Sequence, residues 1–255
     1  MLVRANELSG YKLEALDGAI GHVKDFYFED DSWTVRYLVA ETGGWLSDRG
    51  VLLSPYALNG IKQNEKEIPV YLTKKQIEGS PSLETDRPVS AQWEARYYPY
   101  YNWQGYWSGP LVWGNASFPA ETKAGWQEVQ RRSGTEDPHL RSTKSVTGYS
   151  IEATDGSIGH VTDFVIDDAT WGVRYLIAST GNWWPSKKIL ISVGWIKRIG
   201  WEDSSVHVDL TRAAIKLAPP FEESDLVTRE YEQLLYKHYN LDGYWVEERI
   251  PAGVL

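Results

Sequence analysis

The chain has 255 residues, 42% hydrophobic and 24% charged, with a formal net charge of −9 and no cysteine. This is the composition of a folded globular protein, and it excludes disulfides, thiolate metal sites and cysteine nucleophiles. The acidic balance argues against a general nucleic-acid binder, because phosphate neutralisation supplies most non-specific affinity.

The opening residues, MLVRANELSGYKLEALDG, lack the basic, apolar and cleavage segments of a secretory leader. From there the local pattern is β. AIGHVKDFYFED (19–30) is a β-rich run that ends in acidic turn residues, EDDSW forms a hairpin turn, and TVRYLVAET (34–42) resumes the strand. In this second strand Val35, Tyr37 and Val39 alternate with Arg36, Leu38 and Ala40, the two-residue period of a strand. GVLLSP and EIPVYL predict two further strands, and LTKKQIEGSP a short helix capped by Thr73 and ended by Pro81. A second helix is expected in RPVSAQWEARYYPYYNWQGYW, opening at Ser90 and broken early by Pro99.

The same text then recurs. At a constant offset of 138, Gly10 to Trp107 lies over Gly148 to Trp245 without a gap, and 39 of the 98 aligned positions are identical. This is internal duplication. Thr211 and Thr228 take the capping places in the second copy. Between the copies lies a Gly-, Pro- and Ser-rich connector carrying Trp113, Phe118 and Trp126, so part of it is expected to pack. The expected organisation is a repeat with helical tail over 1–107, a partly packed linker over 108–139, a second repeat with tail over 140–245, and a C-terminal tail over 246–255.

Candidate sites are few. His22 and His160 sit near Asp25 and Asp163, but on a regular strand the odd spacing of HVxD puts the two side chains on opposite faces. The turns at Glu29, Asp30 and Asp31 and at Asp167 and Asp168 lack the glycine and distal glutamate of a calcium loop. Gly18, Gly21 and Gly43, with Gly156, Gly159 and Gly181, form no phosphate-binding loop and suit tight turns. Arg36 and Arg174, at strand centre, read either as snorkelling edge residues or as partners of an acidic group in the other copy. No catalytic residue, cofactor site or metal site emerges, and no enzyme is expected.

The aromatic tails hold the best interaction candidates. The chain has 13 Trp and 16 Tyr but only 5 Phe, and many crowd into the tails. Trp93, Tyr97, Tyr101, Trp103, Tyr106 and Trp107 in the first copy, and Tyr239, Tyr244 and Trp245 in the second, suit barrel packing, protein docking or glycan stacking. Loops at Trp45 and at Trp183 and Trp184 add expected apolar contact.

The repeated DGxIGHVxDF, TWxVRYL and TGxW motifs, with LTRxxI and the closing GYW, resemble the PRC-barrel family. Its barrel occurs in the cytoplasmic domain of the photosynthetic reaction-centre H subunit and in the ribosome-maturation factor RimM. The resemblance implies a mainly β fold: two tandem small β-barrels, each followed by a short helical aromatic tail and related by a pseudo-two-fold axis. It also implies a barrel used as a protein-docking surface. The expectation for function is a non-catalytic adaptor with an unidentified protein partner, no nucleic acid and no direct membrane insertion. The barrels pair within the chain, and further pairing of chains is left open. The expected location is a bacterial cytoplasm, at most peripheral to a membrane complex. Two alternatives stand beside it: an accessory factor of a membrane electron-transfer complex, and a small-ligand or carbohydrate binder using the Trp/Tyr patch.

Overall fold

The computed structural model describes residues 1–46, 50–81, 89–119, 140–181, 187–222 and 226–247. They form two compact units whose limits differ from those of the repeats. Unit 1 comprises Met1, Val3–Ser145 and Ile166–Val173; unit 2 comprises Leu2, Val146–Val165 and the chain from Arg174 onward.

Unit 1 opens with β1 (Leu2–Arg4) and the single turn α1 (Ala5–Leu8). Then come β2 (Lys12–Ala15), β3 (Gly18–Glu29), β4 (Thr34–Glu41), β5 (Val51–Leu53) and β6 (Glu67–Pro69). The helices α2 (Lys74–Glu78) and α3 (Ala91–Tyr100) follow, and β7 (Leu140–Ser142) runs into α4 (Thr143–Val146). The sheet order is β5-β4-β3-β2-β6, with β7 added to β3. The β2–β6 pair is parallel; the other pairs in this sheet are antiparallel.

Long β3 organises this unit. It pairs with β2 through its first residues and with β7 through Tyr27–Glu29, while β4 lies along its other edge. Register shifts at Val23/Asp25 and Tyr27/Phe28 supply the extra twist that curls a short sheet round a core. Gly21 makes the curl sterically possible. Its φ is +138°, and a Cβ there would collide with the Glu41 carbonyl of β4. Leu13, Ile20, Phe26, Leu38, Leu53, Ile68 and Ile77 fill the interior with essentially no exposure. Each such side chain contributes about 1.5–3 kcal/mol on burial.

Both faces of β4 are covered: Val35, Arg36, Tyr37, Leu38 and Ala40 are all buried. One cover is α3, whose Trp93 and Tyr97 rings meet Tyr37 edge-on at 5.5 Å. Against expectation, Pro99 does not break α3 early. The helix runs through it to Tyr100: Pro99 stands exposed in the last turn, where it forgoes one intrahelical bond and only one helical residue follows it.

Unit 2 repeats the plan with β8 (Ser150–Ala153), β9 (Gly156–Asp167), β10 (Val173–Ser179), β11 (Lys188–Ser192), β12 (Ile196–Gly200) and β13 (Ser205–Val208). Its helices are α5 (Arg212–Lys216), α6 (Arg229–Tyr239) and the turn α7 (Tyr244–Glu247). The strand order is β11-β10-β9-β8-β13-β12, with β8 and β13 parallel. β12 and β13 form a ladder here, whereas the matching stretch of unit 1 shows only the bridges Leu58–Val70 and Lys62–Glu67.

The helix starts follow their caps. Thr73 Oγ1 accepts from Gln76 N while the Gln76 side chain accepts from Thr73 N, a reciprocal box; Thr211 accepts from Ala214 N. Ser90 and Thr228 cap α3 and α6 through Trp93 N and Tyr231 N. Among the described residues, no helix is long and apolar enough to cross a membrane.

Candidate functional site

Most of the repeated polar motif is spent on the fold. Asp17 Oδ1 accepts from Lys74 N at 2.8 Å, and Asp155 repeats this on Arg212 N at 2.7 Å, so the DG turn adds a second acceptor at the start of α2 and of α5. Asp25 accepts from Ser142 Oγ (2.5 Å), Thr143 Oγ1 (2.8 Å) and Lys144 N (3.3 Å), and so pins β7 and the first turn of α4. The bulge beside Asp25 cancels strict alternation, so the opposite-face argument for His22 and Asp25 does not hold. His22 and His160 are exposed, while Asp25 is taken up by these donors and by Phe26 N at 2.8 Å.

The tails are held by a repeated carboxylate node. Glu94 Oε1 accepts from Tyr37 OH at 2.8 Å and Tyr106 OH at 3.0 Å. Glu232 Oε1 accepts from Tyr175 OH at 2.7 Å and Tyr244 OH at 2.9 Å, and its other oxygen pairs with Arg229 at 3.0 Å. Both glutamates are 2% exposed. Burial, then the Glu94 charge, pushes the Tyr37 phenol well up; burial does the same to Tyr97 and Tyr98. Tyr175, Tyr239 and Tyr244 are raised for the same first reason. These phenols therefore stay neutral at ordinary pH, while Glu94 is held between Tyr37 and Tyr106 and Glu232 between Tyr175 and Tyr244.

Arg36 meets neither of the roles expected for it. It is buried, with Nη2 2.6 Å and Nε 3.2 Å from Glu29 Oε2 in its own hairpin, and Nη1 2.6 Å from the Val112 carbonyl. Its guanidinium lies 3.9 Å from the Tyr106 ring centre and 4.9 Å from that of Trp113. Arg174 is half-buried, 4.2 Å over Tyr244.

The aromatic candidates separate by depth. Trp93, Tyr97 and Tyr106 are buried in unit 1, which removes them from its surface. Tyr101, Trp103, Trp107, Tyr239, Tyr244 and Trp245 are half-buried and packed on neighbours. Tyr101 stacks on Trp103 at 4.5 Å, Trp107 meets Tyr98 edge-on at 5.0 Å, and Tyr239 lies 4.7 Å from Trp195. Arg229 sits 4.2 Å over the Trp245 ring. The Trp45 side chain and Trp183 and Trp184 lie outside the described residues, as does Trp126.

Sequence reasoning missed two features. From Tyr97 to Ala120 the chain carries no charged residue, although a quarter of the whole is charged. Part of this stretch is the small turn Leu111–Ala116, fixed by fully buried Trp113, whose indole N–H donates to the Thr170 carbonyl at 2.9 Å. It presents Leu111 (42% exposed) and Val112 (45%) outward, followed by Phe118 (39%). The missing charges could have been read from the sequence, but the anchoring could not. The second feature is Asp203, Ser205 and His207. Ser205 Oγ donates to Asp203 Oδ1 at 2.8 Å, so His207 Nε2, 2.9 Å away, must itself donate to Ser205. The serine has no base, and the group is structural. Among the described residues no group of three or more His, Cys, Asp or Glu side chains is placed to hold a metal ion.

The model of the PRC-barrel domain matches residues 2–77 and 143–214, over half of the chain. The chain belongs to the PRC-barrel family. No curated protein matches it. The matched regions stop at Ile77 and Ala214, so α3, α6, the Glu94 and Glu232 carboxylates and the uncharged Tyr97–Ala120 stretch all lie outside them.

Proposed function

We propose that this tandem PRC-barrel protein is a non-catalytic docking module that binds another protein. The observation that carries this is the uncharged stretch of unit 1. Leu111, Val112 and Phe118 are exposed on a segment held rigid by Trp113 and Arg36, and an exposed apolar group on a rigid anchor suits protein docking. The buried polar groups of the barrels support the same reading, since Glu94, Glu232, Asp25 and Arg36 are engaged in holding the fold. Leu111, Val112 and Phe118 can be changed without entering the core, unlike Trp93, Tyr97 or Tyr106. The test is affinity capture from soluble and membrane fractions of the native host, comparing the natural chain with Leu111→Ser/Val112→Ser/Phe118→Ser. A stoichiometric partner lost from the triple variant, at unchanged thermal stability, is the expected result. Retention of the same partner by the variant, or no partner in either fraction, would overturn the reading.

A further inference from the structure

In unit 2, α6 runs beside the stretch from α5 to Phe221. Tyr231 OH donates to the Pro219 carbonyl at 3.1 Å, and His238 Nε2 donates to the Ala214 carbonyl at 2.8 Å. Leu234 lies between Tyr231 and His238 on the helix, and Leu217 lies between Ala214 and Pro219 on the facing stretch, so the two leucines flank one seam. They are 54% and 75% exposed. Lys216 precedes Leu217, Lys237 follows Leu234 by one turn, and both lysines are exposed. Lys187 Nζ approaches the same turn, donating to the carbonyls of Lys216 (2.7 Å) and Ala218 (2.6 Å).

The fold does not require this surface. Unit 1 builds the same seam, with Tyr100 OH donating to the Gln76 carbonyl at 2.9 Å, yet it has Glu78, Gly79, Arg96 and Pro99 where unit 2 has Lys216, Leu217, Leu234 and Lys237. Each lysine lies in the last turn of its helix, where a cation is favoured, but that accounts for neither exposed leucine, and α2 ends on Glu78 in the place of Lys216. The second copy thus carries an apolar pair bracketed by cations within a chain of net charge −9.

We propose that this face docks an acidic amphipathic segment of another protein, with apolar side chains on Leu217 and Leu234 and carboxylates on Lys216 and Lys237. Charge complementarity selects that occupant: bracketing cations steer an acidic segment and disfavour a basic one. Glu230, whose carboxyl is held low by its own backbone N–H and the Thr228 hydroxyl, bounds the face at the start of α6. The proposal rests on the docking role proposed above and assigns it a partner chemistry.

The experiment places the photo-crosslinking residue benzoylphenylalanine at position 217 or 234 of the full chain in the native host, with position 111 as a parallel site. The expected product at 217 and 234 is an adduct to another protein whose crosslinked peptide is net acidic with apolar residues at helical spacing. Its yield should fall about tenfold in Lys216→Glu/Lys237→Glu. No adduct, an adduct to a second copy of this chain or to a neutral or basic segment, or a yield indifferent to charge reversal would each overturn it. An adduct at 111 with none at 217 or 234 leaves the docking role standing and removes this inference. Absence at all three sites removes both.

Discussion

Glu94 and Glu232 are the same residue in two copies, but they bear different loads. Tyr37 is fully buried and Tyr106 nearly so, so removing Glu94 strands two phenols out of reach of water. Glu94→Leu should therefore cost about 2–6 kcal/mol, since each orphaned buried donor costs roughly 1–3 kcal/mol. Glu232→Leu should cost less, because Tyr244 is half-buried and Arg229 is 45% exposed and can turn to solvent. Urea unfolding of the two variants side by side checks the order; equal losses would refute it. The buried tyrosines also set the alkaline limit. Their folded pKa values lie above the ordinary 10.0, so the stability they contribute is complete below pH 10 and is lost as pH rises towards the folded values. Tyrosine ionisation followed by near-ultraviolet absorbance should show a class that titrates only together with unfolding. A smooth titration of all 16 tyrosines near the ordinary value would contradict this.

At the scale of elements, α3 and α6 share a cap, a glutamate and a closing Gly-Tyr-Trp, but differ in what lies over them. α3 buries Trp93, Tyr97 and Tyr98, and Arg36 joins Tyr106 to Trp113 beyond it. α6 buries Leu235 and Tyr236 and leaves Leu234 to solvent. Amide hydrogen exchange should therefore open α6 before α3. Trp113→Ala, which removes a fully buried indole and its bond to Thr170, should cost about 3–5 kcal/mol. It should also bring α3 exchange towards that of α6; unchanged α3 protection would show that the turn at Trp113 does not hold the tail. Much of this level was legible beforehand. The caps at Thr73, Ser90, Thr211 and Thr228 could be read because a cap is a local interaction. The burial of both faces of β4 could not, because it depends on a helix that arrives more than fifty residues later.

At the scale of the whole molecule, unit 1 is assembled from separated stretches of chain. Leu140–Ser142 completes the β3 edge under Asp25, and the hairpin tip at Ile166–Val173 joins through Val35 N to the Trp171 carbonyl and Val173 N to the Trp33 carbonyl. A chain ending at Pro119 would contain the whole first repeat yet leave that strand edge and the Asp25 carboxylate bare. We expect it to be aggregation-prone and to lack a cooperative thermal transition; a sharp, reversible transition in that fragment would show that the first repeat is self-sufficient.

Duplication, β character, helix caps and family are all properties of short stretches or of their recurrence, so the sequence by itself determined them. The tertiary structure alone decided which aromatics are core and which are surface, and gave Asp17, Asp25 and Arg36 their partners. It also decided that the first strand of the second repeat belongs to the first unit. Each of these depends on residues far apart in the chain meeting across a curled sheet, and no local pattern records which residues those are.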